Sequence, residues 1–150
     1  MKKEFSAGGI VFKRSTDQKI KGANILWLIC QHSQHKGWVF PKGLIGDSID
    51  NESREDTAVR EVKEETGTDA EIIRQLPTPI QYWYQLKGQK IFKTVYFYLM
   101  KHLGGDFKDR DHEMMDVRWS TEEEVKKTLT YDNDKKAFEE ALKIFQQLSP

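Results

Sequence analysis

Arg60 to Gly67 reads REVKEETG, and no other stretch limits the possible folds of this chain as much. Arranged as a helix, Glu61, Glu64 and Glu65 share one side, because they lie three and four positions apart. Like charges at that spacing oppose helix formation by about 0.2–0.5 kcal/mol per pair, yet the flanking residues favour a helix. Ser53 can cap free backbone N–H groups, Glu55 and Asp56 suit the positive first turn, and Gly67 is a natural stop. Ala58, Val59 and Val62 supply an apolar stripe. At 100° per residue the glutamate side lies roughly 120° around from that stripe. It is therefore expected to line a cleft at the edge of a core, where something must neutralise it.

The rest of the chain alternates strand-like and helical segments. SAGGIVFKR (residues 6–14) and the apolar run ILWLICQ (residues 25–31) read as strands, with a polar turn between them. WVFPKGLIGDSIDNE is a longer irregular stretch leading into the glutamate helix. DAEIIRQL reads as a strand. TPIQYWYQL and KIFKTVYFYLMKHL, separated by KGQ, read as an antiparallel pair rich in aromatic and β-branched residues. GGDFKDRDHEMMD is an acidic loop and VRW a short strand. STEEEVKKTL carries a capping box from Ser120 to Glu123. A last helix over about residues 134–148 places Ala137 or Phe138, Ala141, Leu142 and Phe145 on one face. Interleaved elements with antiparallel pairings predict an α/β fold, a mixed central sheet between helices, in a single domain of 150 residues. SAGG is not G-x-G-x-x-G, and there is no P-loop lysine motif, so the classical nucleotide-cradling loops are excluded.

Composition narrows the function classes. Lysine plus arginine and aspartate plus glutamate number 24 each, so net charge gives no case for binding nucleic acid or a membrane. No apolar run approaches the ~20 residues of a membrane span, and the N-terminus has no signal-peptide pattern. The single cysteine, Cys30, ends an apolar run and reads as a small core residue. One thiol suits a reducing compartment, and a cytoplasmic location is expected.

A charge run on a helix is ordinarily a solvated face, and Arg60 with Glu64 could be a plain i,i+4 pair. Three features favour chemistry instead: the carboxylates are stacked without an intervening lysine on their own face, that face borders the core, and a glycine-bearing loop leads directly into the helix. Clustered carboxylates suit a hard divalent cation, Mg²⁺ or Mn²⁺, which prefers oxygen ligands and shares them with phosphate. Such a site suits hydrolysis of a phosphate anhydride better than acyl transfer.

At this point the chain resembles the Nudix hydrolases, whose signature is G-x5-E-x7-R-E-U-x-E-E-x-G-U with U aliphatic. Glu52, Arg60, Glu61, Val62, Glu64, Glu65 and Gly67 match in one register. Thr68 replaces the final aliphatic residue. Gly46 has the required spacing to Glu52, but the family's PKG-type lead-in points to Gly43, which implies a loop about three residues longer than usual. SAGGIVF, GWVFPKG, KTVYFYLM and EMMDVRW fall in the expected order, so the resemblance covers nearly the whole chain. It implies an α/β/α sandwich with a mixed central sheet. Within the family, HKGWVFPKG and KTVYFYLM look most similar to the branch that cleaves dinucleoside polyphosphates.

The resemblance also implies roles. Glu61, Glu64 and Glu65 would hold divalent cations and their water, with Glu61 either a ligand or a base. Arg60 would orient a glutamate, and Glu52 would support the same network. The backbone carbonyl of Lys42 or Gly43 would be a further ligand. Glu113 matches a loop carboxylate that binds metal or acts as general base, while its neighbours Asp106, Asp109, Asp111 and Asp116 read as solvated and His112 as a bystander. Lys42, Lys93 and Lys36 are candidates for polyphosphate contacts. Tyr82 and Tyr84 share one face of a strand and Trp83 the other. Tyr82 and Tyr84 are candidates for base stacking, against the commoner fate of packing under helices; Trp38 and Trp119 read as packing. The expected reaction is metal-dependent hydrolysis of a nucleoside diphosphate linked to another group, such as diadenosine tetraphosphate. Alternatives are a nucleoside triphosphate or RNA 5′-end pyrophosphohydrolase, and a non-catalytic nucleotide-sensing module. No membrane partner is expected, nor a nucleic acid other than an RNA 5′ end. Monomer and homodimer both remain open.

Overall fold

The computed structural model describes residues 2–15, 24–46 and 49–148. Most of the polar turn expected between the first two strands, and residues 47 and 48 of the irregular stretch, lie outside the described residues. In chain order the first elements are β1 (Lys2–Arg14), β2 (Ile25–His32), β3 (Trp38–Val39), β4 (Lys42–Leu44) and α1 (Arg54–Thr66). There follow β5 (Thr68–Gln75), β6 (Ile80–Leu86), β7 (Gln89–Gly105), a 3-10 turn (Phe107–Asp109), β8 (Met114–Ser120), α2 (Glu122–Thr128) and α3 (Asp132–Leu148).

β1 and β7 form the spine of one mixed sheet, parallel from Lys2 opposite Ile91 to Phe12 opposite Lys101. All other pairings are antiparallel. β4 and β2 flank successive parts of β1, and β6 and β5 flank successive parts of β7. β3 and β8 pair with β2. A parallel pair needs apolar residues on both faces, and alternation along β7 supplies them. Val95, Phe97 and Leu99 join one core with Ile10, Trp27 and, from α3, Phe138 and Leu142. Tyr98 and Met100 join the other with Val11, Leu28 and, from α1, Ala58 and Val62. The result is the expected sheet between helices. Cys30 is buried, as expected.

Several local expectations are corrected. β1 begins at Lys2 rather than Ser6, because pairing with β7 extends it. The cap of α2 is Thr121, whose hydroxyl accepts from Glu124 N while Glu124 bonds back to the Thr121 amide; Ser120 instead ends β8, buried in the sheet. Val59 is 36% exposed, and Thr57 and Thr66 share the buried side of α1 with Ala58 and Val62. No helix among the described residues is long and apolar enough to cross a membrane.

Candidate active site

α1 is bounded as its sequence predicts. Ser53 Oγ accepts from Asp56 N at 3.0 Å, and Gly67, at φ 77°, closes the helix through its N–H to Lys63 O. Within it, one guanidinium gathers three carboxylates. Arg60 Nε and Nη2 donate to the two oxygens of Glu52, both at 2.8 Å. Arg60 Nη1 donates to Glu61 Oε1 at 2.9 Å and to both Glu64 oxygens at 3.1 Å. A planar fork suits this task in a way a lysine cannot. Thr57 Oγ1 adds a bond to Glu52 at 2.7 Å. The Arg60 hydrogen bond outweighs burial and holds Glu52 below the usual carboxylate range.

The glutamate face is not an open cleft wall. Glu61 and Glu65 are 5% and 3% exposed, and Lys42 and Gly43 lie against them. Lys42 N donates to Glu65 Oε1 at 3.1 Å. A Cβ on Gly43 would overlap the Glu61 carboxylate. Gly46 is at φ 78°, with nothing nearer to a Cβ than 3.8 Å. The two candidate glycines thus divide the work: Gly43 permits close packing on the helix and Gly46 permits a turn. Gly43→Ala is expected to displace Glu61 and lower activity sharply. Gly46→Ala should cost only about 1 kcal/mol of backbone strain, read by urea unfolding, with turnover kept.

Burial pushes the Glu65 carboxyl well above its usual range, and the charges of Glu61 and Glu113 push the same way; the Lys42 amide and ammonium oppose them. Among the described residues no three metal-ligating side chains stand in ligand geometry: Glu61 and Glu64 bond Arg60, and Glu65 bonds the Lys42 amide. The donors nevertheless fit a hard cation. The charge of buried Glu61 opposes the ionisation of buried Glu65, half-exposed Glu64 is beside them, and all offer oxygen.

Glu113 stands on the exposed loop before β8. The loop is tied to α1 by Asp111 N donating to Glu64 O at 2.7 Å, and Glu113 N donates to Asp111 Oδ1 at 3.0 Å. Asp106 and Asp111 therefore accept local turn bonds, beyond the solvation expected of them. Trp38 and Trp119 pack against the two cores.

On the α3 side of the sheet, reached from the glutamate helix through Lys42, lies a cavity of about 300 Å³ between β6, β7 and the start of α3. Its walls include Tyr82, Val95, Phe97 and Tyr131, with Lys42, His35, Asn133 and Asp134 as polar groups. Lys93, opposite Tyr82 in the sheet, is depressed by burial and by Lys42, with Glu4 and Glu65 opposing. Tyr84 lies near Tyr82, ring centroids 6.2 Å apart, but its hydroxyl donates to Glu4 and is pushed up to about 12 by burial and that bond. Lys36 is not brought to the cavity: its Nζ donates to Ser33 O within its own turn.

Sequence reasoning missed His35, Tyr131 and Asp134. His35 Nδ1 accepts from Gly37 N and lies 3.0 Å from Tyr131 Oη. Burial, then His32 and Lys42, lower its pKa. Asp134 carried a legible signal, since it falls four residues before Phe138 and seven before Ala141, on the stripe that α3 buries. Burial raises its carboxyl to about 6, against the pull of Lys42. The folded protein therefore binds the extra proton, and stability falls as pH rises from about 4 to about 6. Asp134→Asn should flatten that slope and add roughly 2–3 kcal/mol at neutral pH, measured by urea unfolding across the window.

Comparison with known proteins places this geometry. A model of the NUDIX domain matches residues 4–141. The chain is 37% identical over 111 residues to the putative mutator protein MutT4 of Mycobacterium tuberculosis, covering 74% of this chain and 43% of that relative, so it spans less than half the relative's length. In fold it is similar to a C. elegans Ap4A hydrolase binary complex, with TM-score 0.73, 21% identity, 97% of this chain and 99% of the other. It is likewise similar to the NUDIX domain of Shewanella oneidensis NrtR complexed with ADP ribose, with TM-score 0.72, 20% identity, 97% of this chain and 90% of the other. Because the domain match runs from the first strand into the last helix, and is not confined to the glutamate helix, the chain belongs to the Nudix domain family, whose hydrolases act on phosphoric anhydrides.

Proposed function

We propose that this protein hydrolyses a pyrophosphate bond in a nucleoside diphosphate linked to another group, with a dinucleoside polyphosphate such as diadenosine tetraphosphate as the substrate. The observation that carries this reading is the double placement of Lys42. Its amide bonds Glu65, while the same residue lines the cavity that holds Tyr82 and Tyr131. One residue thus links a carboxylate site to an aromatic cavity of a size suited to a nucleoside. The fold likeness to an Ap4A hydrolase agrees with this reading.

Nudix hydrolases generally use divalent metals, and Glu61, Glu64 and Glu65 are the residues that would hold Mg²⁺ or Mn²⁺ here. When bound, such an ion neutralises phosphate oxygens and makes water more acidic. The chain's own residues do the rest. Lys42 and Lys93 hold the polyphosphate, and Tyr82 and Tyr131 flank the base. Arg60 keeps Glu52, Glu61 and Glu64 in register. Water adds to one phosphorus, the bond to the bridging oxygen breaks, and a carboxylate takes the water's proton. Glu113 is assigned that proton, as the exposed carboxylate on the loop that Asp111 ties to Glu64 O of the glutamate helix.

Product analysis tests the proposal. Diadenosine tetraphosphate with Mg²⁺ should give ATP and AMP. Pyrophosphate plus a monophosphate from a nucleoside triphosphate, with the dinucleotide untouched, would replace this reading with that of a triphosphate or RNA 5′-end pyrophosphohydrolase. No turnover across a nucleotide panel with Mg²⁺ and Mn²⁺ would leave a binding module.

A further inference from the structure

The sheet face that α1 covers is left open at its β6–β7 end. There Trp83 is 48% and Phe5 45% exposed. Strand register collects the side chains of that face: Lys3 lies opposite Phe92, which lies opposite Trp83, and Phe5 lies opposite Thr94 in the next row. Tyr82 and Trp83 are consecutive on β6, so this surface faces away from the nucleoside cavity. The Trp83 and Phe92 rings are 4.8 Å apart. Cations lie over the aromatic rings: Lys90 Nζ is 4.8 Å from the Trp83 centroid, and Arg54 Cζ is 4.3 Å from that of Tyr96. Next to them Lys3, Phe5, Arg54 and Tyr96 border a groove of about 600 Å³.

The charge on this face is mainly positive: Glu4 also borders the groove, but its carboxylate is taken up by the Tyr84 hydroxyl and Lys2. Positions 3, 5 and 7 of β1, 81, 83 and 85 of β6, and 90, 92, 94 and 96 of β7 contain no aspartate or glutamate. Among the described residues neither Lys3, Lys90 nor Arg54 joins an ion pair. Glu55 lies one row further on, beside Tyr98. In a chain of zero net charge, this face asks for an anionic partner, and its exposed rings ask for a planar one.

We infer that this face binds a single-stranded polynucleotide, with bases stacked on Trp83, Phe92 and Phe5 and phosphates held by Lys3, Lys90 and Arg54. A single strand offers both a bare π-face and a phosphate at each nucleotide, whereas a duplex hides its base faces. The inference does not depend on the proposed hydrolysis.

The test uses the full chain in EDTA, so that no metal-dependent turnover intervenes, and a fluorescein-labelled RNA of about 12 nucleotides with a 5′-hydroxyl, within the usual site size. Anisotropy should rise on titration, with a log–log salt slope of about −2 for three phosphate contacts to a single strand. Trp83→Ala should weaken binding about tenfold, and Lys3→Glu with Lys90→Glu should abolish it. All these residues are exposed, so thermal midpoints should stay in place, and turnover of small nucleotides should be unaffected. Equal affinity for duplex RNA, wild-type binding by Trp83→Ala, or no anisotropy change would overturn the inference. A wild-type dimer in sedimentation that Trp83→Ala dissociates would also overturn it, assigning the face to a second copy.

Discussion

Glu65→Gln is expected to make the metal-free protein more stable while lowering turnover by several orders of magnitude. The two effects share a cause. Glu65 is 3% exposed, and burial plus the charge of Glu61 raises its carboxyl far above the ordinary range. The folded state therefore holds a proton there that the unfolded chain releases, so metal-free stability falls as pH rises above the ordinary carboxylate range. A glutamine carbonyl can still accept the Lys42 amide bond, but it carries no charge to desolvate. The same loss of charge removes a ligand that a divalent cation needs. Thermal unfolding in EDTA should show a higher midpoint at neutral pH, and added Mg²⁺ should raise the wild-type midpoint more than the variant's. A variant less stable than wild type in EDTA would show that the buried carboxylate is compensated in some way other than the one described. Wild-type turnover would remove Glu65 from the reaction.

The second large effect is at Arg60. Its side chain is 15% exposed, and the Glu52 and Glu61 side chains it binds are 4% and 6% exposed. Arg60→Met leaves two buried carboxylates without their cation, a change expected to cost about 3–5 kcal/mol. Adding Glu52→Gln should recover part of that loss, since it removes one of the two buried charges that Arg60 neutralises. The pH signature has the opposite sign to that of Glu65. Arg60 holds Glu52 below its ordinary range, so the stability it contributes is present above that range and is lost as pH falls through the lowered value. The Arg60 variant should lose this acid dependence, and urea titrations at several pH values would show it. Arg60→Lys should recover little, because the N–H groups of an ammonium leave one nitrogen and cannot span the carboxylates that the guanidinium reaches from three nitrogens in a plane.

Much of the candidate site was legible because it is local. Glu52, Arg60, Glu61, Glu64 and Glu65 lie within fourteen consecutive residues, and helical geometry alone sets which of them are neighbours. The cap at Ser53 and the stop at Gly67 follow from backbone hydrogen-bonding needs that any helix has. The errors came where partners are distant. Val59 looked like part of the apolar stripe, but the faces available to it were set by β1 and β5. Lys36 looked like a phosphate contact, yet its own turn takes up its ammonium. The glutamate face looked open because nothing in residues 54–66 announces that Lys42 and Gly43 will lie against it.

Tyr131 and His35 come together across 96 positions of sequence, and periodicity carries no information at that range. The cations at positions 3, 54 and 90 likewise share a surface only because β1 pairs in parallel with β7 and the start of α1 lays Arg54 over Tyr96 of β7. A balanced total charge concealed a mainly basic face. By itself the sequence determined the glutamate helix, its limits, its internal charge network and the layered α/β plan, because these depend on contacts a few residues long or on alternation within one strand. Only the tertiary structure decided which carboxylates are buried, which glycine lies against them and which aromatics share a cavity. Those outcomes depend on strand register and on close approach between distant segments, and both arise from packing the whole chain at once.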